Sequence, residues 1–247
     1  MKPLLQIRNL HGGYTHKNVL HGITFDVLPG EIVGLIGLNG AGKSTTIKHV
    51  IGLMEPKKGT ISVNGQTFQK HPTTYRSQMS YIPEVPILYD ELTLYEHLRL
   101  TAMAYNLSEE TFEKRLQPLL EEFRMEKRLK WFPVHFSKGM RQKVMIMCAF
   151  LIEPLLYVVD EPFVGLDPLG IRSYLQWIEQ MKQKGAGVLM STHILATAER
   201  YCDRFVILHE GKTRAIGTLD QLREQFNMPK ASLDDLYIEL TKEERHV

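Results

Sequence analysis

A glycine-rich stretch at residues 37–45 constrains the fold of this chain more than any other feature. Its sequence, Gly37-Leu38-Asn39-Gly40-Ala41-Gly42-Lys43-Ser44-Thr45, matches the pattern G-x-x-x-x-G-K-[ST]. The apolar run 32–36 precedes it directly and is typical of a parallel strand buried on both faces, and a helix-like stretch follows. Glycines let a backbone wrap a phosphate chain with its N–H groups pointing inward, and a helix N-terminus favours negative charge. The stretch therefore predicts a nucleotide site; the alternative is a glycine-rich turn with a surface lysine.

Two side chains of this loop have predicted roles at the phosphates. Lys43 can reach the β- and γ-phosphates, and the hydroxyl of Ser44 can ligate Mg²⁺. We therefore predict that Lys43 is catalytic, that Ser44 is a metal ligand and that all of 37–45 binds the nucleotide.

An apolar strand that ends in two acidic residues supplies further candidates. The strand is predicted over Leu155–Val159 and runs into Asp160 and Glu161. Asp160 is placed to hold Mg²⁺ through water, and Glu161 to orient the attacking water or accept its proton. A second buried strand, Val188 to Thr192, is followed by His193, which is placed to hydrogen-bond the γ-phosphate. Open α/β sheets bind ligands at the carboxyl ends of their strands; the alternatives are a solvated acidic turn and a structural histidine.

Hydrophobic alternation predicts strands in the first third of the chain. Residues 23–27 and 61–63 alternate apolar and polar side chains, which is the period of a half-buried strand. Asn64-Gly65 predicts a hairpin turn that leads into 66–68.

The remainder of the chain is predicted to be mostly helical, with a short strand pair near its end. Residues 91–149 have a helical pattern in which Pro118 should start or kink a helix. Two strands flank a turn at 210–212, and capping-box pairs at Thr218/Gln221 and Ser232/Asp235 open two short terminal helices. The predicted fold class is α/β, with a parallel-sheet core, an antiparallel β edge and an inserted helical segment.

Composition restricts the possible partners. The chain has 247 residues, 43% of them hydrophobic, and 30 Lys and Arg against 28 Asp and Glu give a net charge of +2. The basic face of a nucleic-acid binder is missing from this sequence, so no nucleic-acid partner is expected. Cys148 and Cys202 form no disulfide pattern, which suits a reducing compartment. Residues 1–5 lack a signal core, and the apolar stretch 144–159 is too short to span a membrane. A soluble cytoplasmic enzyme is expected, with any membrane role depending on a partner.

The segment between the two motifs carries a family resemblance. Residues 136–143, Phe-Ser-Lys-Gly-Met-Arg-Gln-Lys, resemble the ABC signature, usually written LSGGQ. In ABC ATPases this segment completes the nucleotide site of the opposite protomer, so that two chains enclose two ATP molecules. The resemblance implies that Ser137 and Gly139 contact the γ-phosphate in trans, while Lys138 and Met140 depart from the family's Gly and Gln.

Three further positions match the same family. Tyr14 resembles the aromatic residue that stacks on adenine, the alternative being a core tyrosine. Glu84 occupies the Q-loop position, where most members have Gln, which implies nucleotide contact and a carboxylate near Mg²⁺. Gly165-Leu166-Asp167 matches the D-loop at the dimer interface, which implies a nucleotide-site role for Asp167. More narrowly, Pro83-Glu84, the signature and the ending 232–237 resemble ABC-2-type exporter ATPases.

The resemblance implies a fold, partners and a location. It implies a P-loop NTPase nucleotide-binding domain of the ABC type over residues 1–220, with an antiparallel β subdomain and an inserted helical subdomain at about 85–150. A short helical extension would follow at 221–247. The implied function is an ATP-hydrolysing, Mg²⁺-dependent exporter motor that works as an ATPase dimer with a transmembrane permease, at the cytoplasmic face of the cell membrane. Val85 to Tyr105, which follows Glu84, is the expected docking surface for the permease; the alternative is that its apolar side chains pack the core of the helical segment.

Three other functions remain as alternatives. A soluble ABC-type ATPase of the chromosome-maintenance kind would carry a long coiled coil, and one of the translation-factor kind would carry two cassettes; this chain shows neither. A P-loop GTPase would need an N-K-x-D motif, which this sequence lacks. Import differs from export only in direction, because both use the same motor.

Overall fold

Two β-sheets organise the computed structural model, which describes residues 2–14 and 17–242. The smaller sheet is antiparallel, with the strand order β2 (Leu20–Val27), β1 (Leu5–Gly12), β4 (Lys58–Val63). The larger sheet has the order β5 (Met79–Ile82), β6 (Leu156–Asp160), β7 (Gly187–Thr192), β3 (Ile32–Ile36), β8 (Arg204–His209), β9 (Lys212–Gly217). Strands β5, β6, β7, β3 and β8 are parallel, and β9 closes the edge antiparallel to β8. The predicted α/β class with a parallel core and antiparallel strands is confirmed.

Nine α-helices accompany the sheets within the described residues. They are α1 (Lys43–Val50), α2 (Pro72–Ser77), α3 (Leu94–Ala104), α4 (Glu109–Phe123), α5 (Lys138–Ile152), α6 (Pro168–Gln183), α7 (Leu195–Tyr201), α8 (Leu219–Gln225) and α9 (Leu233–Lys242). Strands β3, β6 and β7 are buried along their whole length, because both faces of the sheet are covered. No helix among the described residues is long and apolar enough to cross a membrane.

The inserted helices α3–α5 share a core with the larger sheet. Phe150 on α5 lies at the centre of this core, with its ring 5.5 Å from that of Tyr157 on β6 and 5.6 Å from that of Trp177 on α6. Phe123 on α4 and Tyr174 on α6 complete the aromatic group around it. These contacts hold α5, which begins at the signature segment, against the acidic strand β6. The division into a domain at 1–220, a helical subdomain and an extension stays a prediction.

The two terminal helices are capped as predicted. Thr218 with Gln221, and Ser232 with Asp235, exchange the reciprocal hydrogen bonds of a capping box. Helix α8 begins at Leu219, two residues before the predicted extension, and the last part of that extension, 243–247, lies outside the described residues.

Three local predictions were wrong. Residues 66–68 form no strand, because after the turn at Asn64-Gly65 only the single bridge Val63–Gln66 forms and Phe68 turns away to pack on Tyr75. The prediction that Pro118 starts a helix was wrong, because Pro118 lies inside α4, which begins after its N-cap Ser108; the predicted alternative, a kink at Pro118, stays a prediction. Strand β6 begins one residue later than predicted, and Leu155 is 41% exposed.

Candidate functional site

The phosphate loop connects β3 to α1 in a conformation that requires glycine. Gly40 and Gly42 have φ angles of 86° and 105°, which residues with a Cβ atom rarely adopt. Gly42 is also the N-cap of α1. A Cβ atom at Gly37 would lie 2.5 Å from the carbonyl oxygen of Leu208 on β8. The loop is therefore held close to the sheet while its backbone amides gather at the N-terminus of α1, which favours an anion.

Lys43 is the first residue of α1 and is buried beneath the loop. Its Nζ donates a hydrogen bond of 2.7 Å to the carbonyl oxygen of Gly37 and lies 3.9 Å from Oε1 of Glu161. Burial lowers the pKa of Lys43, and the charges of Glu161, Asp160 and Glu84 oppose that shift. The lysine is thus a desolvated cation beside three carboxylates, and the phosphates of a nucleotide would supply further negative charge.

A cavity of about 780 Å³ opens in front of this loop. It is lined by Tyr14, Leu38, Asn39, Gly40, Gly42, Lys43, Ser44, Thr45, Glu84, Glu161 and His193, all of which the sequence predicted. Gly37 and Ala41 are buried in the loop behind it, and Asp160 is buried at the end of β6. A volume of this size suits a small-molecule ligand.

The acidic pair lies at the carboxyl end of β6. Asp160 accepts a hydrogen bond from the hydroxyl of Ser191 on β7. Glu161 has a left-handed backbone, with φ of 48°, and its N–H donates to the carbonyl oxygen of Ser191 at 3.1 Å. For a residue other than glycine this conformation costs about 1–3 kcal/mol. It directs the Glu161 carboxylate into the cavity and toward Lys43.

His193 contacts Glu161. Its Nδ1 lies 2.8 Å from Oε1 of Glu161, and the ring is half exposed at the cavity wall. The exposure of the His193 ring and its contact with the buried Glu161 carboxylate argue against the alternative of a structural histidine in the core. The contact fixes the Glu161 carboxylate, and the predicted hydrogen bond from His193 to the γ-phosphate stays a prediction.

Tyr14 lies on the cavity rim. The side chain is 48% exposed, which excludes the alternative of a core tyrosine. Its hydroxyl accepts a hydrogen bond of 3.0 Å from Nζ of Lys48, and this bond is the main reason that the pKa of Tyr14 is lowered. The exposed ring is available for stacking on a base.

The signature and D-loop residues lie together, but not at this cavity. Ser137 is the N-cap of α5 and accepts a hydrogen bond of 3.3 Å from the N–H of Met140. Gly139 packs so closely on Gly165 that a Cβ atom would lie 2.5 Å from the Gly165 oxygen. Asp167 is the N-cap of α6, accepting from the Gly170 N–H at 2.6 Å. Ser137, Gly139 and Asp167 are absent from the lining of the cavity in the same chain.

Several lining residues were missed by the sequence analysis: Lys17, Asn18, Val19, His21 and Glu210. They belong to the segment after β1, to the start of β2 and to the β8–β9 turn. That turn reaches the phosphate loop, because the N–H of Gly211 donates to the carbonyl oxygen of Ala41 at 3.0 Å. No motif marked these residues, and their place at the site depends on how the two sheets pack.

Comparisons with known proteins agree with this geometry. A sequence-family model described as "ABC transporter" matches residues 20–164. The chain is 68% identical to the ABC-type transporter ATP-binding protein EcsA of Bacillus subtilis (strain 168), over 98% of each chain. It is 32% identical to the SkfA peptide export ATP-binding protein SkfE of the same strain, over 90% of this chain and 92% of that one. A solved structure described as the ATP binding subunit of an ABC transporter matches with a TM-score of 0.95 at 66% identity, over 96% of this chain and 99% of that chain.

Proposed function

This chain belongs to the ABC transporter family as an ATP-binding subunit, and we propose that it hydrolyses ATP to ADP and phosphate, with Mg²⁺, to drive export through a membrane subunit. One observation carries the proposal: Lys43, Glu161 and His193 converge on the cavity of the phosphate loop. Release of phosphate from MgATP by the purified chain tests it. A chain that binds MgATP but releases no phosphate, alone or with its membrane subunit, would contradict it.

The side chains present fit Mg²⁺ bound together with a nucleotide. No cluster of three or more His, Cys, Asp or Glu side chains suited to a metal ion exists among the described residues. Mg²⁺ in nucleotide sites usually takes only one or two protein ligands, besides phosphate oxygens and water. The exposed hydroxyl of Ser44 and the carboxylate of Asp160 would hold it, and Glu84 is a third candidate. When bound, Mg²⁺ neutralises negative charge on the phosphates.

Glu161, His193 and Lys43 have different roles in the proposed hydrolysis of ATP. Glu161, as the carboxylate, orients the attacking water and accepts its proton. His193 holds that carboxylate through the 2.8 Å contact. Lys43 keeps one of its three N–H donors on the carbonyl oxygen of Gly37, offers the others to the β- and γ-phosphates and stabilises the charge that develops on them.

A second copy of the chain is proposed to complete each site. Ser137 and Gly139 lie at the N-terminus of α5, where backbone amides favour an anion, yet they do not line this chain's own cavity. A pair of chains related by a two-fold axis would present each signature segment to the other's nucleotide. ATP binding would then close the pair, and hydrolysis would open it.

The segment after Glu84 is proposed to contact the membrane subunit. Val85, Ile87 and Tyr89 are 65%, 78% and 62% exposed. Adjacent exposed apolar side chains of this kind mark interaction sites. The predicted docking surface, 85–105, includes residues that cannot contact a partner, because Leu94 and Leu98 are buried in the core on the inner face of α3. The proposed docking loop is therefore 85–89.

Hydrogen bonds connect this docking loop to the signature helix. Nε2 of the buried Gln142 on α5 donates to the carbonyl oxygen of Pro83 at 3.2 Å. The guanidinium of Arg141 pairs with the Asp90 carboxylate at 2.9 Å. A displacement of α5 on dimer closure would thus move both ends of the loop.

Export and a peripheral location at the cytoplasmic face of the membrane complete the proposal. The relative SkfE is named for peptide export. Within the described residues the chain has no helix that could span a membrane, so the proposed attachment is through the permease.

The docking loop is tested with a charged substitution. Ile87→Asp should abolish association with the membrane subunit, because a carboxylate would have to be buried in an apolar contact. The measurement is the fraction of the protein that remains on washed membranes of cells producing the permease. Leu53→Asp is the matched control, since Leu53 is 66% exposed on another surface. An Ile87→Asp protein that stays on the membranes, or one that unfolds, would place the docking surface elsewhere.

Base stacking on Tyr14 is tested with two substitutions at that position. Tyr14→Phe keeps the ring and should retain ATP affinity, whereas Tyr14→Ala should weaken it about three- to tenfold. Because stacking accepts any purine, GTP should compete moderately. Titration with MgATP measures both variants, and equal affinity in Tyr14→Ala and the unsubstituted protein would remove Tyr14 from the site.

A further inference from the structure

One peptide group in the phosphate loop is held from both of its ends. The carbonyl oxygen of Gly37 accepts the 2.7 Å hydrogen bond from Nζ of Lys43. The N–H of Leu38, which belongs to the same peptide group, donates a hydrogen bond of 2.9 Å to the hydroxyl oxygen of Tyr237. In a trans peptide these two groups point in opposite directions. The Tyr237 hydroxyl and the Lys43 ammonium therefore hold the Gly37–Leu38 peptide group at its two opposite edges and fix its orientation.

Tyr237 is fixed in its own place by the packing of α9. Its ring is 4% exposed, in a hydrophobic cluster that includes Ile36, the last residue of β3 before the loop. The start of α9 is tied to α7, because the N–H of Leu233 donates to the Glu199 carboxylate at 2.7 Å. Helix α7 follows His193 closely in the chain. The terminal helix thus packs against the residue that precedes the loop and is tied to α7, so the hydroxyl has little freedom to leave Leu38.

We propose that Tyr237 is a positioning residue for ATP binding, which acts through the Gly37–Leu38 peptide on Lys43. This proposal rests on the proposed function, since it assigns a role to Tyr237 only if the loop binds ATP. Tyr237 touches neither the cavity nor a phosphate: it is absent from the cavity lining. Its hydroxyl sets the orientation of the peptide whose carbonyl oxygen receives the lysine. Helix α9 then supports the nucleotide site, although it lies outside all of the sequence motifs that form this site.

The effect of the hydroxyl can be separated from that of the ring. Tyr237→Phe keeps the packing of α9 but leaves the N–H of Leu38 without its acceptor. Without this part-buried hydrogen bond the peptide is held only from its carbonyl side, so it would populate other orientations and Lys43 would lose its defined position. We expect a rise of about three- to tenfold in the dissociation constant for MgATP. A purely structural role would instead lower the melting temperature and leave nucleotide affinity unchanged.

The experiment compares two tyrosine-to-phenylalanine variants of the full chain. The control is Tyr105→Phe, because the Tyr105 hydroxyl also bonds to a backbone group, the carbonyl oxygen of Met79, at 3.0 Å. Met79 is the first residue of β5, at the end of the strand away from the cavity. Each protein is titrated with MgATP, and its melting temperature is measured without nucleotide.

The expected result is weakened MgATP binding in Tyr237→Phe alone, with similar melting temperatures in the two variants. Unchanged affinity in Tyr237→Phe would overturn the proposal, and so would an equal loss of affinity in both variants, which would reflect general destabilisation. If the unsubstituted chain does not bind MgATP, the proposed function is wrong. This outcome differs from a failure of the Tyr237 proposal, in which the unsubstituted chain binds MgATP and Tyr237→Phe binds it equally well.

Discussion

Glu161→Gln is expected to slow ATP hydrolysis by about 10²–10⁴-fold while MgATP still binds. The carboxamide has nearly the shape of the carboxylate and keeps an oxygen near His193, but it cannot accept a proton from water. The Glu161 side chain is 3.9 Å from Lys43, so removing its charge also removes an attraction that competes with the phosphates for the lysine. Affinity for ATP should therefore be kept or rise. Phosphate release and equilibrium titration measure the two quantities separately.

Glu153→Gln is the matched control for this substitution. Glu153 has the same left-handed backbone, with φ of 49°, and lies near the other end of β6. Its carboxylate pairs with Arg115 and Lys184 and is partly buried, so the control also loses a paired negative charge. Hydrolysis should be unchanged in this variant. A Glu161→Gln protein that hydrolyses as fast as Glu153→Gln, or that no longer binds ATP, would remove Glu161 from the chemical step.

Lys43→Ala is expected to abolish hydrolysis and to weaken MgATP binding by about 100-fold or more, since charge-assisted hydrogen bonds to phosphate are among the strongest in proteins. The substitution removes the ammonium beneath the loop and leaves the Glu161 carboxylate facing the phosphates without the positive charge of the lysine. It also frees the carbonyl oxygen of Gly37. Normal hydrolysis by the purified variant would show that the loop does not hold the phosphates.

Lys48→Ala provides the comparison for Lys43→Ala. Both lysines lie on α1, but Lys48 contacts the Tyr14 hydroxyl and ring at the cavity rim. Exposed cation–π contacts contribute about 0.5–1 kcal/mol, so this variant should lose less than about tenfold in affinity. Equal losses in the two variants would indicate general attraction between positive charge and ATP instead of a specific phosphate contact.

Local sequence was sufficient to predict the parts of the site that single segments form. The strand–loop–helix order at 32–50 follows from a buried apolar run and from glycines that permit positive φ. Both depend on residues adjacent in the chain. Asp160 and His193 were predicted for the same reason, because Asp160 ends a buried strand and His193 directly follows another. The signature helix was also predictable, as Ser137 caps α5 through a local hydrogen bond.

Contacts between distant segments could not be predicted in this way. The pairing of Glu161 with His193 depends on the adjacent, parallel packing of β6 and β7. The bond from Leu38 to Tyr237 joins residues 199 positions apart. The wrong strand at 66–68 has the same cause, since Phe68 packs on Tyr75 of α2, a contact that the local sequence does not reveal.

The mass of the Glu161→Gln chain in saturating MgATP tests the central claim most directly, namely that two chains complete each other's nucleotide sites. The claim predicts a species of twice the chain mass that holds two ATP molecules and separates when the nucleotide is removed. This result is expected because hydrolysis no longer reopens the pair, and because Ser137 and Gly139, which do not line the cavity of their own chain, are proposed to contact the partner's nucleotide. A chain that binds one ATP and remains a monomer at saturation would contradict the claim.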